Sequence, residues 1–126
     1  LSLTFYLYIA LAGAKKKAVQ AGEVDEARRA LHDDAWPDGV QQINNSIRNQ
    51  FEVPVLFYVL TFMLWSLDGI NWLVHAMAWL FVASRLVHAF IHTGTNVVPL
   101  RRSAFSVGCV ILMLMMLVAV YNIVSV

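Results

Sequence analysis

Two groups of polar residues recur at helical spacing inside otherwise apolar sequence. The first group consists of Asn45, Arg48, Asn49 and Glu52. The second consists of Arg85, His88 and His92. Residues three and four positions apart lie on one face of an α-helix. Each group therefore predicts a polar stripe along a helix, and a polar stripe inside apolar sequence needs a chemical reason.

The stripes, together with the start of the last apolar segment, predict a cationic cluster. Its members are Arg48, Arg85, Arg101 and Arg102, with Glu52 as the expected buried counter-charge. Guanidinium groups bind carboxylates through paired hydrogen bonds, so the cluster suits an anionic ligand. Asn49 and Glu52 are suited to an ammonium or amide group of the same ligand.

Simpler interpretations remain open for these residues. Arg48, Arg101 and Arg102 can extend to phosphate head groups, and Glu52 with Arg85 can form a structural ion pair between helices. His88 and His92 are spaced as metal or haem ligands, but no carboxylate or cysteine at matching spacing completes a metal set. We therefore predict no metal, and a hydrogen-bonding role for both histidines.

The elements that carry these residues are those of a membrane protein. The chain has 126 residues, of which 60% are hydrophobic and only 13% charged, and ordinary soluble domains carry about twice that share of charge. The net charge of +1 gives no argument for nucleic acid, and the single cysteine excludes an internal disulfide. Because the sequence starts with Leu1, residues before it are expected and a signal peptide cannot be judged.

Four apolar segments predict four membrane helices, since about 20 residues span the hydrocarbon core. We place them at about residues 1–14, 47–67, 70–92 and 103–126, in a single membrane domain over residues 1–126 with a polar loop at 15–46. Within that loop, residues 23–33 are expected to form a short surface helix. The fold class is thus an all-α integral membrane protein with a four-helix up-down bundle.

The basic residues predict the orientation of this bundle. Loops one and three are the ones that contain lysine and arginine, and the turn between helices two and three has neither. Positively charged loops remain in the cytoplasm, so loops one and three are predicted to be cytoplasmic. Both polar stripes then lie near the cytoplasmic face.

Three stretches resemble the MAPEG family, the membrane-associated proteins in eicosanoid and glutathione metabolism, and in particular its bacterial branch. They are "RNQFEVPVLFY", "ASRLVHAFIHTG" and "LRRSAFSVG". Asn49 and Glu52 match the asparagine and glutamate of the family motif, and Pro54 matches its proline with one residue less spacing. The chain departs from the family at Asn45, where an arginine is usual.

The resemblance implies a homotrimer in a bacterial inner membrane, with glutathione as co-substrate bound between subunits. Arg101 or Arg102 would stabilise the thiolate, and the glutathione-binding residues would be Arg48, Asn49, Glu52, Arg85, His88 and His92. Histidines 88 and 92 stand roughly where eukaryotic members have tyrosines.

Two functions follow from the resemblance. The first is a glutathione transferase or peroxidase that acts on lipophilic electrophiles. The alternative is a non-enzymatic accessory subunit of a larger membrane complex. Membrane lipid is an expected partner in both cases.

Overall fold

The computed structural model describes residues 1–125 of the chain, and most of these residues are helical. These residues form five α-helices, and a single 3-10 turn at Asp33–Ala35 precedes the second of them. The helices are α1 (Ser2–Gln20), α2 (Asp38–Gln50), α3 (Val53–Ser66), α4 (Trp72–Thr93) and α5 (Val98–Val124). The predicted all-α fold is therefore confirmed.

The helix ends differ from the predicted ones where good helix formers continue an apolar segment. Helix α1 runs six residues beyond 14, through the three lysines at 15–17, which have high helix propensity. Helix α5 begins at Val98 rather than 103, with Pro99 at its second position. A proline is tolerated there, because the backbone N–H groups of the first helical turn have no partner within the helix. Helix α4 agrees with the predicted 70–92 within two residues.

The apolar segment predicted as one helix over 47–67 is divided into α2 and α3. Phe51 and Glu52 separate them, and their backbone N–H groups donate to Arg48 and Asn49, three residues earlier. Proline at position 54 has no N–H to donate to the carbonyl of Gln50 and its ring clashes with that carbonyl. The uninterrupted helix was therefore a wrong prediction, and the interruption lies inside the first polar stripe.

The hydrophobic core lies between α3, α4 and α5. Its buried members are Leu64, Val74, Met77, Phe81, Ile111, Leu112, Met115 and Ala119. Phe57 of α3 stacks on Phe81 with 4.5 Å between ring centroids. Gly108 is buried where α5 meets α4, and a side chain there would contact Ser84. These contacts fix α4 and α5 against each other, the two helices that carry most of the polar residues considered below.

Two helices, α4 and α5, are long and apolar enough to span a membrane by length and composition. At 1.5 Å per residue, they extend over about 33 and 40 Å. Large apolar side chains project from the surface, among them Phe62, Trp79, Phe90 and Leu117, all more than half exposed. Lipid or a partner chain is the natural neighbour of such a surface.

The segment between α1 and α2 is ordered by contacts with charged side chains rather than by a helix. Within residues 23–33, positions 26–31 form successive turns and Asp33 begins the 3-10 turn, so the predicted surface helix is wrong; a short isolated helix has little stability of its own. Trp36 lies between Lys15 and Arg29, at 4.9 and 5.9 Å from its ring centroid. Arg28 donates hydrogen bonds to Asp34 and lowers the pKa of that exposed carboxyl.

Candidate functional site

A polar cavity of about 420 Å³ lies where α2, α4 and α5 meet at one end of the bundle. It is lined by Asn45, Asn49, His88, His92, Val98, Arg101, Arg102 and Phe105. Of the eight predicted site residues, five therefore come together: Asn49, His88, His92, Arg101 and Arg102. We call this space the cationic cavity. Its volume is in the range of small-molecule sites.

The two histidines form the buried wall of the cationic cavity. His88 and His92 are 3% and 6% exposed, and their rings meet edge to face with centroids 5.6 Å apart. The Nδ1 atoms of both rings are buried and have no hydrogen-bond partner. Buried polar atoms are nearly always paired in folded proteins. In the single chain, both ring nitrogens therefore lie beside the cavity without a partner from the described residues.

The loop between α4 and α5 positions Arg101. Its Nη1 atom donates to Oδ1 of Asn96 at 2.6 Å. Asn96 adopts a left-handed backbone conformation with φ of +52°, and its N–H donates to the carbonyl of Ile91 at 2.7 Å; asparagine tolerates this conformation better than most residues. Arg101 is half-buried, whereas Arg102 beside it is exposed. Arg101 is thus the better-oriented cation of the pair.

Arg48 lies at the surface and outside the cationic cavity. Its guanidinium forms an ion pair with Asp33 and a hydrogen bond with Asn45 at 3.5 Å. It therefore ties the loop before α2 to the last turns of that helix. In the isolated chain, Arg48 is engaged with the protein itself.

Glu52 also lies outside the cavity, because the interruption between α2 and α3 leaves it exposed. The expectation that Glu52 is a buried counter-charge is therefore wrong for the single chain. Among residues 1–125, the ion pairs involve only arginines 28, 29 and 48, so the predicted Glu52–Arg85 pair is not formed either.

Arg85 does not line the cationic cavity, although His88 and His92, which follow it on α4, do. It lines a second cavity of about 340 Å³ with Gln50, on the side of α4 that faces α1 and α3. The Arg85 guanidinium carbon lies 5.9 Å from the ring centroid of Phe105, which lines the cationic cavity. The two spaces are thus close neighbours, and Arg85 belongs to the second one.

Sequence reasoning missed several residues that matter here. Gln50 is buried, and its Nε2 atom has no partner; Phe105 and Asn96 shape the cationic cavity. The signal for Gln50 was present, since Ser46 and Gln50 are also four positions apart on the first stripe's helix. Phe105 and Asn96 had no signal, because their roles depend on the contact between α4 and α5. In the described part of the chain, no three His, Cys, Asp or Glu side chains are grouped as metal ligands.

Comparison with known proteins gives one finding. A model of the MAPEG family matches residues 1–121. No curated protein and no solved structure matched the chain.

Proposed function

The chain belongs to the MAPEG family, whose model covers nearly all of it, and from this membership we propose that it is a membrane-bound glutathione transferase or peroxidase. The family is one of membrane helical proteins that generally use glutathione. The two apolar helices α4 and α5 agree with a membrane protein. The lipophilic electrophile would reach the site from the bilayer.

The cationic cavity is the observation that carries this proposal. Glutathione has two carboxylates, an ammonium group and a thiol, and the cavity offers two arginines, two asparagines and two histidines. Arginine binds carboxylates through paired charged hydrogen bonds. The side-chain oxygen of Asn49 is a suitable acceptor for the ammonium group.

We assign thiolate stabilisation to Arg101 rather than Arg102. A neighbouring guanidinium lowers the pKa of a thiol, and the thiolate is the nucleophile. Arg101 is half-buried and held by Asn96 at 2.6 Å, so its position is fixed before the ligand enters. The exposed Arg102 is better suited to a carboxylate of the peptide.

The chemistry would proceed from this thiolate. With an aryl or alkyl electrophile, the sulfur forms a bond to carbon and the leaving group departs with the bonding electron pair. With a lipid hydroperoxide, the thiolate attacks the terminal oxygen, the O–O bond breaks, and the alcohol forms after protonation. A second glutathione thiol then converts the resulting sulfenic acid to the disulfide and water.

A homotrimer of four-span subunits is part of the proposal. Arg48 and Glu52 are exposed in the single chain, as expected of residues that complete a site at a subunit boundary. Loops one and three would face the cytoplasm of a bacterial cell, which supplies glutathione. Arg85 is left out of the proposed glutathione site, because it lines the second cavity.

Isothermal titration of the detergent-purified protein with glutathione tests the proposal directly. We expect binding at millimolar concentration or below, and absence of binding there would end the glutathione hypothesis. A lack of turnover combined with stoichiometric co-purification of a larger complex would instead favour the accessory-subunit function.

Alanine substitutions separate the two arginines. Arg101→Ala should lower kcat for an activated aryl chloride by about a hundredfold, the usual effect of losing one charge-stabilising group. Arg102→Ala should mainly raise KM, and Arg29→Ala, in the loop before α2, should change neither. Equal kcat in the Arg101 and Arg102 variants would contradict the assignment to Arg101.

A further inference from the structure

The thiol of glutathione has to lose its proton before the sulfur can react, and few side chains in the cationic cavity can receive a proton. Guanidinium groups stay protonated and carboxamides are not bases. Of the residues that line the cavity in the described part of the chain, the other polar ones are His88 and His92. A neutral imidazole accepts a proton near neutral pH. A proton acceptor inside the cavity must therefore be one of these two histidines.

The antiparallel register of α4 and α5 places His92 level with Arg101. The ring of His88 lies 5.8 Å from the ring of Phe105, measured between centroids. One turn from His88 towards the connecting loop is His92, and one turn from Phe105 towards the same loop is Arg101. Residues four positions apart lie on the same face of a helix. His92 is therefore the histidine that faces the guanidinium assigned to the thiolate.

Hydrogen bonds of the loop between α4 and α5 hold these two residues at the same end of the bundle. The backbone N–H of Asn96 donates to the carbonyl of Ile91, the residue before His92, at 2.7 Å. The side-chain oxygen of Asn96 accepts from Arg101 at 2.6 Å. Asn96 thus connects the end of α4 to the guanidinium of α5, so the relative position of His92 and Arg101 is restricted before a ligand enters.

Each histidine presents its Nε2 atom to the cavity. The Nδ1 atoms of both rings are enclosed and have no partner among the described residues, whereas neither Nε2 atom is enclosed in this way. Because both rings line the cavity, a thiol can reach them only at Nε2. With the ring proton on the enclosed Nδ1, the lone pair of Nε2 is free to accept a proton.

We propose that His92 is the general base of the glutathione reaction, taking the thiol proton on Nε2 while Arg101 holds the sulfur as a thiolate. The inference rests on the proposed function and deepens it. In this step the S–H bond breaks and its electron pair stays on sulfur. The proton forms a new N–H bond, so that an imidazolium and a thiolate face each other.

Bound glutathione provides the negative charge that this proton transfer needs. The charged groups around His92 are Arg101 and Arg102 on α5 and Arg85 on its own helix, whereas His88 is neutral and α2 contributes two asparagines. In the free protein these like charges disfavour an imidazolium. Glutathione adds two carboxylates for the arginines and a thiolate beside the ring. The charged form of His92 is therefore stabilised only when the substrate is bound.

The proton on His92 has a destination in each branch of the reaction. With a lipid hydroperoxide, the thiolate takes the terminal oxygen, the O–O bond breaks and an alkoxide leaves. The imidazolium returns its proton to this alkoxide, which gives the alcohol and a neutral ring. With an aryl chloride, chloride departs and the proton passes to water at the open side of the cavity, where Asn45 and Arg102 are exposed.

A proton count on the wild-type protein tests the transfer without any substitution. The detergent-purified protein is mixed with glutathione in a weakly buffered solution that contains a pH-indicator dye, and the thiolate is followed by its ultraviolet absorbance. S-methylglutathione is the control, because it has the same charged groups and no thiol proton. If His92 keeps the proton, thiolate should form with almost no release beyond this control. Release of about one proton per thiolate would refute the proposal.

Substitutions then identify the base. His92→Gln keeps a polar side chain but cannot hold the proton, so kcat for an activated aryl chloride should fall about a hundredfold at neutral pH. It should rise about tenfold per pH unit as hydroxide replaces the imidazole, whereas wild-type kcat should change little. Added imidazole should partly restore the rate of His92→Ala. His75→Gln is the matched control, since this exposed histidine lies at the other end of α4, and it should behave as wild type.

The outcomes distinguish failure of this inference from failure of the proposed function. Absence of glutathione binding, or of thiolate in the wild-type protein, would end both. Binding and thiolate formation together with a wild-type kcat and pH profile in His92→Gln would refute the general base alone. Loss of proton retention in His88→Gln but not in His92→Gln would also refute the assignment. If His92→Gln failed to fold, the wild-type proton count would decide.

Discussion

A substitution at Gly108 tests how closely α4 and α5 must approach. A methyl group on the Cα of Gly108 would lie 3.1 Å from Oγ of Ser84 and 3.5 Å from Cε2 of Phe81. The distance of 3.1 Å to Ser84 is shorter than a normal van der Waals contact, whereas the distance of 3.5 Å to Phe81 is a normal one. Ser84 cannot turn away freely, because its hydroxyl donates to the carbonyl of Phe81 at 2.7 Å.

Two opposing effects determine how Gly108→Ala changes the free energy of unfolding. Replacing a helical glycine by alanine stabilises a helix by about 1 kcal/mol, whereas overpacking a core costs about 1–3 kcal/mol. The overpacking is expected to exceed the propensity gain, so the variant should be destabilised by up to about 2 kcal/mol. In a Ser84→Ala background the close oxygen is gone, and the same glycine substitution should become neutral or stabilising.

Reversible unfolding in mixed micelles, followed as denaturing detergent is added, measures all four proteins of this double-mutant cycle. The coupling between positions 84 and 108 should be about 1 kcal/mol or more. Gly13→Ala in α1 is the control, because a side chain there meets nothing within 4 Å, and it should show the propensity gain alone. Additive effects at 84 and 108, within about 0.5 kcal/mol, would refute the packing argument.

Three further substitutions test other parts of the fold. Asn71→Ala removes the side chain whose Oδ1 accepts the backbone N–H at position 74 with a distance of 3.0 Å; it should cost about 1 kcal/mol in the same unfolding assay, and Asn71→Ser should restore most of it. Pro54→Ala restores the N–H that can donate to Gln50, so the region between α2 and α3 should gain protection from hydrogen exchange; unchanged exchange would show that proline is not the cause of the interruption. Arg48→Met breaks the ion pair with Asp33, so residues 21–37 should exchange faster; because the pair is exposed and worth about 0–1 kcal/mol, the overall free energy of unfolding should barely change.

The all-helical fold and the family were predictable because composition and local motifs determine them. Long apolar segments can satisfy their backbone in a membrane only as helices or closed barrels, and this sequence has no strand pattern. The interruption at Phe51 and Glu52 was also encoded, by Pro54. It was missed because a proline is tolerated in the first turn of a helix, and the sequence does not reveal that a new helix begins there.

The composition of the site was only half predictable. Residues three positions apart on a helix differ in direction by about 60°, so one stripe can face two different neighbours. His88 faces α5 and the cationic cavity, while Arg85 faces the second cavity. Spacing along one helix cannot distinguish these cases, because the packing of α1, α3 and α5 decides which space each side chain enters.

The interruption before α3 has a consequence for the surrounding bilayer. Helix α3 has 14 residues and extends over about 21 Å, against a hydrocarbon thickness of about 30 Å; α5 is nearly twice as long. In the proposed four-span subunit, α3 is therefore shorter than the hydrocarbon layer and α5 is longer. In that proposed subunit the bilayer beside α3 would have to become thinner or the subunit would have to tilt, so we expect annular lipids with short acyl chains on that side.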